Sequence, residues 1–370
     1  MEACSQKTLH MTQDASKNRY ALILAGGSGQ RFWPISRDAL PKQLLKLFGD
    51  KTLLELTIER LDGFVPKENI LILTNKQQEA SVRALVKDLP PENIVAEPEK
   101  RDTAPAIALA VGWVVARDPT ATMIVLPADH LIKNHAEFQR VLSNAALAAE
   151  NSGSLVTVGI TPTWPCPSYG YVERGRRASI GGLDDLPVWE VARFREKPNP
   201  DLAEHFISQG TFLWNAGMFI WTIPAIFSEL SRHCPVLADF VSELRGSKDF
   251  SATVDKQFGK LPKLSIDYAL MERASRVLNI ESTFDWDDVG NWTSVGRYLK
   301  ADEDGNQHNC ALSQQDSLNN IVFTQTGQHV ALIGVQDLIV VASKDGLLVA
   351  TRSKAENIKK IVDGLPQELR

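Results

Sequence analysis

The sequence predicts an α/β protein: a mostly parallel sheet with helices on both faces, followed by a small β-rich module. Three observations predict it. Short apolar runs alternate with helix-like segments from Tyr20 to Ile160, the order expected of strand–helix–strand units whose parallel strands are covered on both sides. The first apolar run leads directly into a glycine cluster, Gly26-Gly27-Ser28-Gly29. From about Ala301 the texture changes to polar stretches broken by short apolar runs.

Composition narrows the function classes. At 370 residues, 44% hydrophobic and 23% charged, the chain suits a folded protein of two or three domains. A formal net charge of −5 argues against general nucleic-acid binding, so any phosphate site must concentrate Arg and Lys locally. Cys4, Cys166, Cys234 and Cys310 form no CxxC pair, which points to a reducing, cytoplasmic compartment and away from zinc. No apolar run reaches membrane-span length, so no membrane partner is expected. Residues 1–18 are polar, lack the apolar core of a secretory signal and read as a poorly ordered tail.

The elements follow in order. Tyr20 to Ala25 is a buried strand. Thr52-x-x-Glu55 is a capping box, and Leu54, Ile58 and Leu61 mark one helical face behind it. Ile70 to Thr74 is a second strand, Gln77 to Leu89 a helix stopped by Pro90-Pro91, and Ile94-Val95 a short strand entering Glu97-Pro98. Asp102 or Thr103 caps an apolar helix from Ala104 to Arg117. Met123 to Leu126 is a strand ending in Pro127-Ala128-Asp129-His130, followed by a helix over 136–150 and a strand from Leu155 to Ile160. Further on, Val191 to Phe194 and the segment after Trp214 read as strands, Pro224 to Leu244 and Ser265 to Ala274 as helices. In the last part, Ile321 to Phe323, Val330 to Ile333, Leu338 to Val341 and Leu347 to Ala350 read as strands, with Ser353-x-x-Glu356 capping a final helix.

Ligands on parallel sheets sit at the carboxyl ends of the strands, and the glycine loop, Glu97 and Asp129 all fall at such ends. Glycines let the backbone turn sharply and approach a ligand, and successive exposed N–H groups form an anion-binding concavity. Arg31 and Lys42 add a guanidinium fork and a mobile ammonium. Together these suit a nucleoside triphosphate. The phosphate loop GxxxxGK[ST] is absent, and the dinucleotide fingerprint fails because Phe32 stands where its third glycine should open a helix. Asp129, at a strand end, is a first candidate for magnesium, which prefers one or two carboxylates plus phosphate oxygens. Asp288, in the cluster Asp285-Trp286-Asp287-Asp288, is the second. The plain alternatives are a helix cap for Asp129 and a solvated acidic turn for the cluster. His130 reads as a structural histidine.

The string Leu24-Ala25-Gly26-Gly27-Ser28-Gly29-x-Arg31-x-Trp33-Pro34-x-Ser36-Arg37, then Pro41-Lys42-Gln43, closely resembles the mannose-1-phosphate guanylyltransferases, a branch of the sugar-1-phosphate nucleotidylyltransferases. The glycine loop, Arg31 and Pro41-Lys42 belong to the wider family; Trp33-Pro34-x-Ser36-Arg37 looks like the mannose-type branch. The resemblance implies a Rossmann-like nucleotidyltransferase fold over 19–300 and a short β-helix-like module over 301–370, with a homodimer formed through that module. It implies metal ligation by Asp129 and Asp288, and nucleotide contacts from residues 24–29 (Leu24, Ala25, Gly26, Gly27, Ser28, Gly29) and from Glu97, Thr103 and Ala104. The guanine N1 and N2 donors suit an acceptor such as Glu97. It also implies sugar-phosphate contacts from Tyr169, Gly170, Glu196, Lys197, Asn215 and Gly217, with Ala216 where many relatives carry serine.

The activity this implies is GTP plus α-D-mannose 1-phosphate giving GDP-mannose and pyrophosphate, with Mg2+. Arg31, Lys42, Asp129 and Asp288 form the catalytic set. The alternatives are another sugar, as in GDP-glucose formation, or a non-catalytic subunit that senses a nucleotide sugar. Some relatives carry an isomerase domain after the transferase; the chain ending at Arg370 is expected to lack mannose-6-phosphate isomerase activity.

Overall fold

The structure, a computed structural model, describes residues 18–183 and 186–370. The expected disordered tail therefore lies, over residues 1–17, outside the described residues. The strands of the first part are β1 (Arg19–Leu24), β2 (Ile70–Asn75), β3 (Ile94–Glu97), β4 (Thr122–Pro127), β5 (Leu155–Ile160), β6 (Tyr171–Arg177), β7 (Val188–Arg195), β8 (Phe212–Thr222) and β9 (Val277–Glu281). Among the described residues they form one nine-stranded sheet in the order β3-β2-β1-β4-β8-β5-β9-β7-β6. Pairing is parallel from β3 through β4 and between β5 and β9. Strands β8 and β7 run antiparallel to their neighbours, so the other seven point the same way.

Strand alternation puts helices on both faces. On β1, Leu22 joins one apolar cluster while Ala21 and Ile23 join the other. The first cluster takes the helix Thr103–Val115, which is apolar nearly all round because it is sandwiched between the sheet and the helix Pro235–Gly246. Gly112 permits this close approach: a Cβ there would lie 2.4 Å from Leu244 Cδ1. The second cluster takes the apolar face of His135–Ser152, including Phe138, Val141, Leu142 and Ala145.

Some elements differ from expectation. The helix expected over Gln77 to Leu89 spans only Glu79–Leu85, because Val86 leaves helical geometry at φ −106° and ψ 51°. The single helix expected from Pro224 to Leu244 is two, Ile223–His233 and Pro235–Gly246. Cys234 separates them, at φ −147°; the residue before a proline is driven out of helical geometry. Ser265 to Ala274 holds only a π-helical turn, Asp267–Met271.

The last part contains β10 (Lys300–Ala301), β11 (Gln307–His308), β12 (Leu312–Gln315), β13 (Ile321–Thr324), β14 (Val330–Ile333), β15 (Leu338–Ala342) and β16 (Leu347–Thr351). Strands β11, β13 and β15 pair in parallel, as do β12 and β14, so the chain coils between two parallel ladders. The buried Asn306 and Asn320 stack between coils: Asn320 Nδ2 donates to Asn306 Oδ1 at 2.8 Å, and Leu338 N donates to Asn320 Oδ1 at 2.9 Å. This is the short β-helix-like unit expected. Its apolar side joins Phe32, Ile35, Trp292 and Val295 in a third cluster with Ile321, Phe323, Ile339 and Val341. The capping box expected at Ser353-x-x-Glu356 is not formed. Residues Arg352–Asn357 are a 3-10 segment with no side-chain cap, and Glu356 turns instead to Arg31 and Asn291.

Candidate active site

Parallel register aligns the ends of β1, β2, β3 and β4. Leu24 pairs with Leu73 and with Pro127, and Asn75 with Glu97. The segments that leave these ends surround a cavity of about 430 Å³. Gly26 and Gly27 form one wall, Glu97 and Thr103 a second, and Tyr169, Gly170, Glu196, Lys197, Asn215 and Gly217 a third; Asp129 and Asp288 line it as well. A second lobe of about 300 Å³ takes in Ser28, Gly29, Arg31 and Lys42, and shares Asp129, His130 and Asp288 with the first.

Lys42 sits where the lobes meet. Its buried ammonium lies 2.8 Å from Asp129 Oδ2 and donates to the Asp288 carbonyl. Burial alone would raise the Asp129 carboxyl, but the Lys42 charge and hydrogen bond hold it below its ordinary value. Burial raises the Asp288 carboxyl, against the opposing pull of Lys42 and of the Tyr169 hydroxyl, which donates to Asp288 Oδ1. Gly29 explains the loop's composition. It holds φ 63°, and a Cβ would lie 2.3 Å from the backbone nitrogen of Lys42. Only glycine lets the loop and the Pro41-Lys42 turn meet. Gln43 locks them, donating to the carbonyls of Ala25 at 2.7 Å and Gly27 at 3.2 Å.

Arg31 reaches the second lobe, donating to Gly290 O at 3.4 Å and pairing with Glu356 at 3.0 Å. Glu97 is pushed up to about 8, chiefly by burial and then by Asp102, and its Oε1 has no hydrogen-bond partner. Its second oxygen would lie 3.4 Å from a Cβ on Gly26, so it faces the loop. Asp102 caps the following helix, accepting from Thr103 N at 2.8 Å, while Thr103 Oγ1 accepts from Ile266 N at 2.8 Å.

On the third wall, Lys197 holds a left-handed φ of 46° and pairs with Glu196 at 2.8 Å. Gly170 is needed there, since a Cβ would lie 2.6 Å from Glu196 Oε2. Asn215 N donates to Gly170 O at 2.8 Å, and Asn215 Oδ1 accepts from Thr157 Oγ1 at 2.8 Å and Gly217 N at 3.2 Å.

Nearly all the expected residues thus line the two lobes. Ala25 and Ala104 do not: both are buried behind the wall, their amides bonded to Leu73 O and Leu264 O. Asp287 and Asp285 shape the acidic turn. Asp287 accepts from Arg297, Tyr298 and Val289 N, and Asp285 accepts from the amides of Lys133 and Asn134 at 2.9 Å. Burial lowers His130 to about 4, so it is neutral at pH 7, and Trp286 Nε1 donates to its Nδ1 at 3.2 Å. Sequence reasoning missed Asp267, which lines the same cavity. Burial first, then Glu196, push it up to about 7, and Asn215 Nδ2 donates to it at 3.4 Å. The expected helix concealed it; an isolated carboxylate in an apolar stretch, Ile266-Asp267-Tyr268-Ala269, was the available signal.

The nucleotidyl transferase family model matches residues 20–305, and a mannoseP isomerase/GMP-like beta-helix domain model matches 314–365. A mannose-1-phosphate guanylyltransferase of Escherichia coli (strain K12) is 36% identical over 357 residues, covering 94% of this chain and 74% of that protein. The chain belongs to the mannose-1-phosphate guanylyltransferase family. It is an enzyme of the nucleotidyltransferase class, built on that family's fold. A solved Thermus thermophilus structure described as a mannose-1-phosphate geranyltransferase matches with a TM-score of 0.84 and 33% identity, covering 94% of this chain and 99% of that one. A Helicobacter pylori structure described as a mannose-6-phosphate isomerase matches with a TM-score of 0.59 and 27% identity, covering 73% of this chain and 99% of that one. No helix among the described residues is long and apolar enough to cross a membrane.

Proposed function

We propose that this enzyme transfers GMP from GTP to α-D-mannose 1-phosphate, giving GDP-mannose and pyrophosphate. The observation that carries this is the placement of Lys42 between Asp129 and Asp288, where a lobe lined by Arg31 meets a larger cavity with hydrogen-bonding walls. Guanine fits beside Glu97, the sugar phosphate beside Glu196, Lys197 and Asn215, and the polyphosphate in the lobe of Ser28, Gly29, Arg31 and Lys42.

A mannose 1-phosphate oxygen attacks the α-phosphorus of GTP. The new P–O bond forms as the bond to the β-phosphate oxygen breaks, and pyrophosphate leaves with the electron pair. The nucleophile is already anionic, so no general base is needed, in keeping with a neutral His130. The main barrier is bringing two anions together in line. Lys197 orients the attacking phosphate, and Arg31 and Lys42 stabilise charge moving onto the leaving group.

Asp129 and Asp288 fit a divalent cation of the magnesium type. They are hard oxygen donors facing one cavity, and no group of three or more His, Cys, Asp or Glu among the described residues supplies a complete cage, which leaves room for phosphate oxygens. When bound there, such an ion would offset phosphate charge.

We divide the chain into a catalytic unit over 19–300 and a module over 301–370. Exposed Ile333, Leu347 and Val349 on that module suit a homodimer contact, which light scattering tests. The free Cys166, Cys234 and Cys310 suit a cytoplasmic setting. The test of function is pyrophosphate release with GTP, Mg2+ and mannose 1-phosphate, extended to other nucleotides and hexose phosphates. Release with none of them would overturn the proposal, and preference for glucose 1-phosphate would reassign the sugar. Adding fructose 6-phosphate tests the isomerase reading that the Helicobacter likeness favours.

A further inference from the structure

The polyphosphate lobe has a wall that comes from the far end of the chain. Lys359, on the short helix Ile358–Val362, lines it together with Arg31 and Lys42. We propose that Lys359 is a third cationic contact for the β- and γ-phosphates of the bound nucleotide, and for the pyrophosphate that leaves. The C-terminal module would then complete the site rather than merely pack beside it. This rests on the assignment of the lobe to the polyphosphate.

The two other cations are already engaged. Arg31 pairs with Glu356, and Lys42 with Asp129 and the Asp288 carbonyl. The Lys359 ammonium is exposed and has no hydrogen bond or ion pair among the described residues, so it can meet an anion without breaking a contact. Its position is fixed from both sides in sequence. Ile358 and Val362 are 2% and 3% exposed, in the same cluster as Phe32 and Trp292. These anchors fix the backbone at Lys359 beside the lobe, and its flexible four-carbon stem carries the ammonium to an anion there.

The module also grips the segment that carries Arg31. Trp33 Nε1 donates to Leu369 O at 2.9 Å, Arg37 pairs with Asp345 at 2.6 Å, and a Cβ on Gly346 would lie 2.8 Å from Pro34. The Trp33-Pro34-x-Ser36-Arg37 string is therefore a docking strip for the C-terminal module, and docking is what brings Lys359 to the lobe. The acidic groups facing the lobe are Asp129 and Asp288. Both stand on the side of Lys42, which leaves Lys359 as the unpaired charge.

The test is Lys359→Met in the full chain. Initial rates are measured forward with GTP and mannose 1-phosphate, and backward with GDP-mannose and pyrophosphate. The expected result is a rise of about tenfold in KM for GTP and for pyrophosphate, the scale of one exposed charge-assisted contact. KM for mannose 1-phosphate and the melting temperature should not change. Lys359→Arg should restore most of the loss, and Lys360→Met, which removes a neighbouring charge outside the lobe, should match wild type. Unchanged nucleotide and pyrophosphate constants in Lys359→Met, or an equal effect in Lys360→Met, would overturn the proposal. Calorimetry with magnesium pyrophosphate alone separates this from failure of the underlying assignment. Wild-type binding retained in Lys359→Met sinks the lysine's role whatever the substrates prove to be, and weaker binding supports it.

Discussion

Lys42→Met keeps the aliphatic stem and removes the charge at the point where the lobes meet. Two costs follow, and they can be separated. The catalytic cost is that of deleting one preorganised donor to a developing charge, about 3–4 kcal/mol, or 10²–10³ in turnover. The stability cost comes from Asp129, which loses its partner. Breaking a fully buried pair costs about 3–5 kcal/mol. The Lys42 side chain is 9% exposed but that of Asp129 is 35% exposed, so water screens the orphaned carboxylate and about 1–2 kcal/mol is expected. The pH dependence has a definite sign. In wild type the Asp129 carboxyl is held below its ordinary value of 3.8, so its contribution is present above that value and lost as pH falls through the lower folded value. Without Lys42, burial raises the carboxyl instead, so the sign reverses: the orphaned Asp129 destabilises the variant near neutral pH, and that loss is recovered as pH falls through the raised value. Urea denaturation and pyrophosphate release on the same preparations measure both costs. Adding Asp129→Asn to Lys42→Met should recover stability but not turnover. A folded Lys42→Met protein with turnover within threefold of wild type would refute the assigned role of the lysine.

Asp288→Ala should leave a folded protein with turnover lower by about a hundredfold or more, checked by the same pyrophosphate assay alongside circular dichroism. Glu97, raised to about 8, is largely protonated at pH 7, and guanine N–H donors favour its ionised form; GTP binding at pH 7 should therefore release a proton, seen as a dependence of calorimetric enthalpy on buffer ionisation heat. The raised value also means a stability contribution that is lost as pH rises from its ordinary 4.5 through about 8, so Glu97→Gln should gain melting temperature over wild type across that window while binding GTP more weakly. Gly29→Ala should destabilise the protein by about 1–3 kcal/mol from its left-handed φ alone, and by more because its Cβ would strike the Lys42 backbone; a melting temperature equal to wild type would contradict the close approach.

How far the site was legible in the sequence depended on where each residue's neighbours lay. The glycine loop, Glu97 and Asp129 were readable because each follows its own strand, and parallel register brings successive strand ends together without further information. The acidic cluster made Asp288 a candidate, but only the family resemblance singled it out as a metal ligand: its partners Lys42 and Tyr169 lie 246 and 119 residues away, and no local pattern encodes such a meeting. Asp267 was concealed by helical periodicity, because the π turn from Asp267 to Met271 shares its apolar spacing with a helix. The helices Pro200–Gln209 and Phe250–Gln257 went unread although Asn199 and Asp249 cap them; their apolar faces are narrow, with little but the cap to announce them.

The arrangement answers a difficulty that net charge alone poses. A chain with a formal charge of −5 must accept two phosphorylated molecules into a cavity that also contains Glu97, Asp267 and Glu196. Were all three ionised, they would repel both substrates. Burial raises Glu97 to about 8 and Asp267 to about 7, so near neutral pH the cavity carries less negative charge than its composition suggests. Lys42 holds Asp129 ionised at the junction where the phosphates must meet and where a divalent ion would be wanted. Hydrogen-bonding selectivity and charge stabilisation are thus assigned to different stretches of one cavity. The same burial that lowers the charge of these acids leaves Lys197 in the larger lobe, and Arg31 and Lys42 in the second, to set the field the phosphates meet.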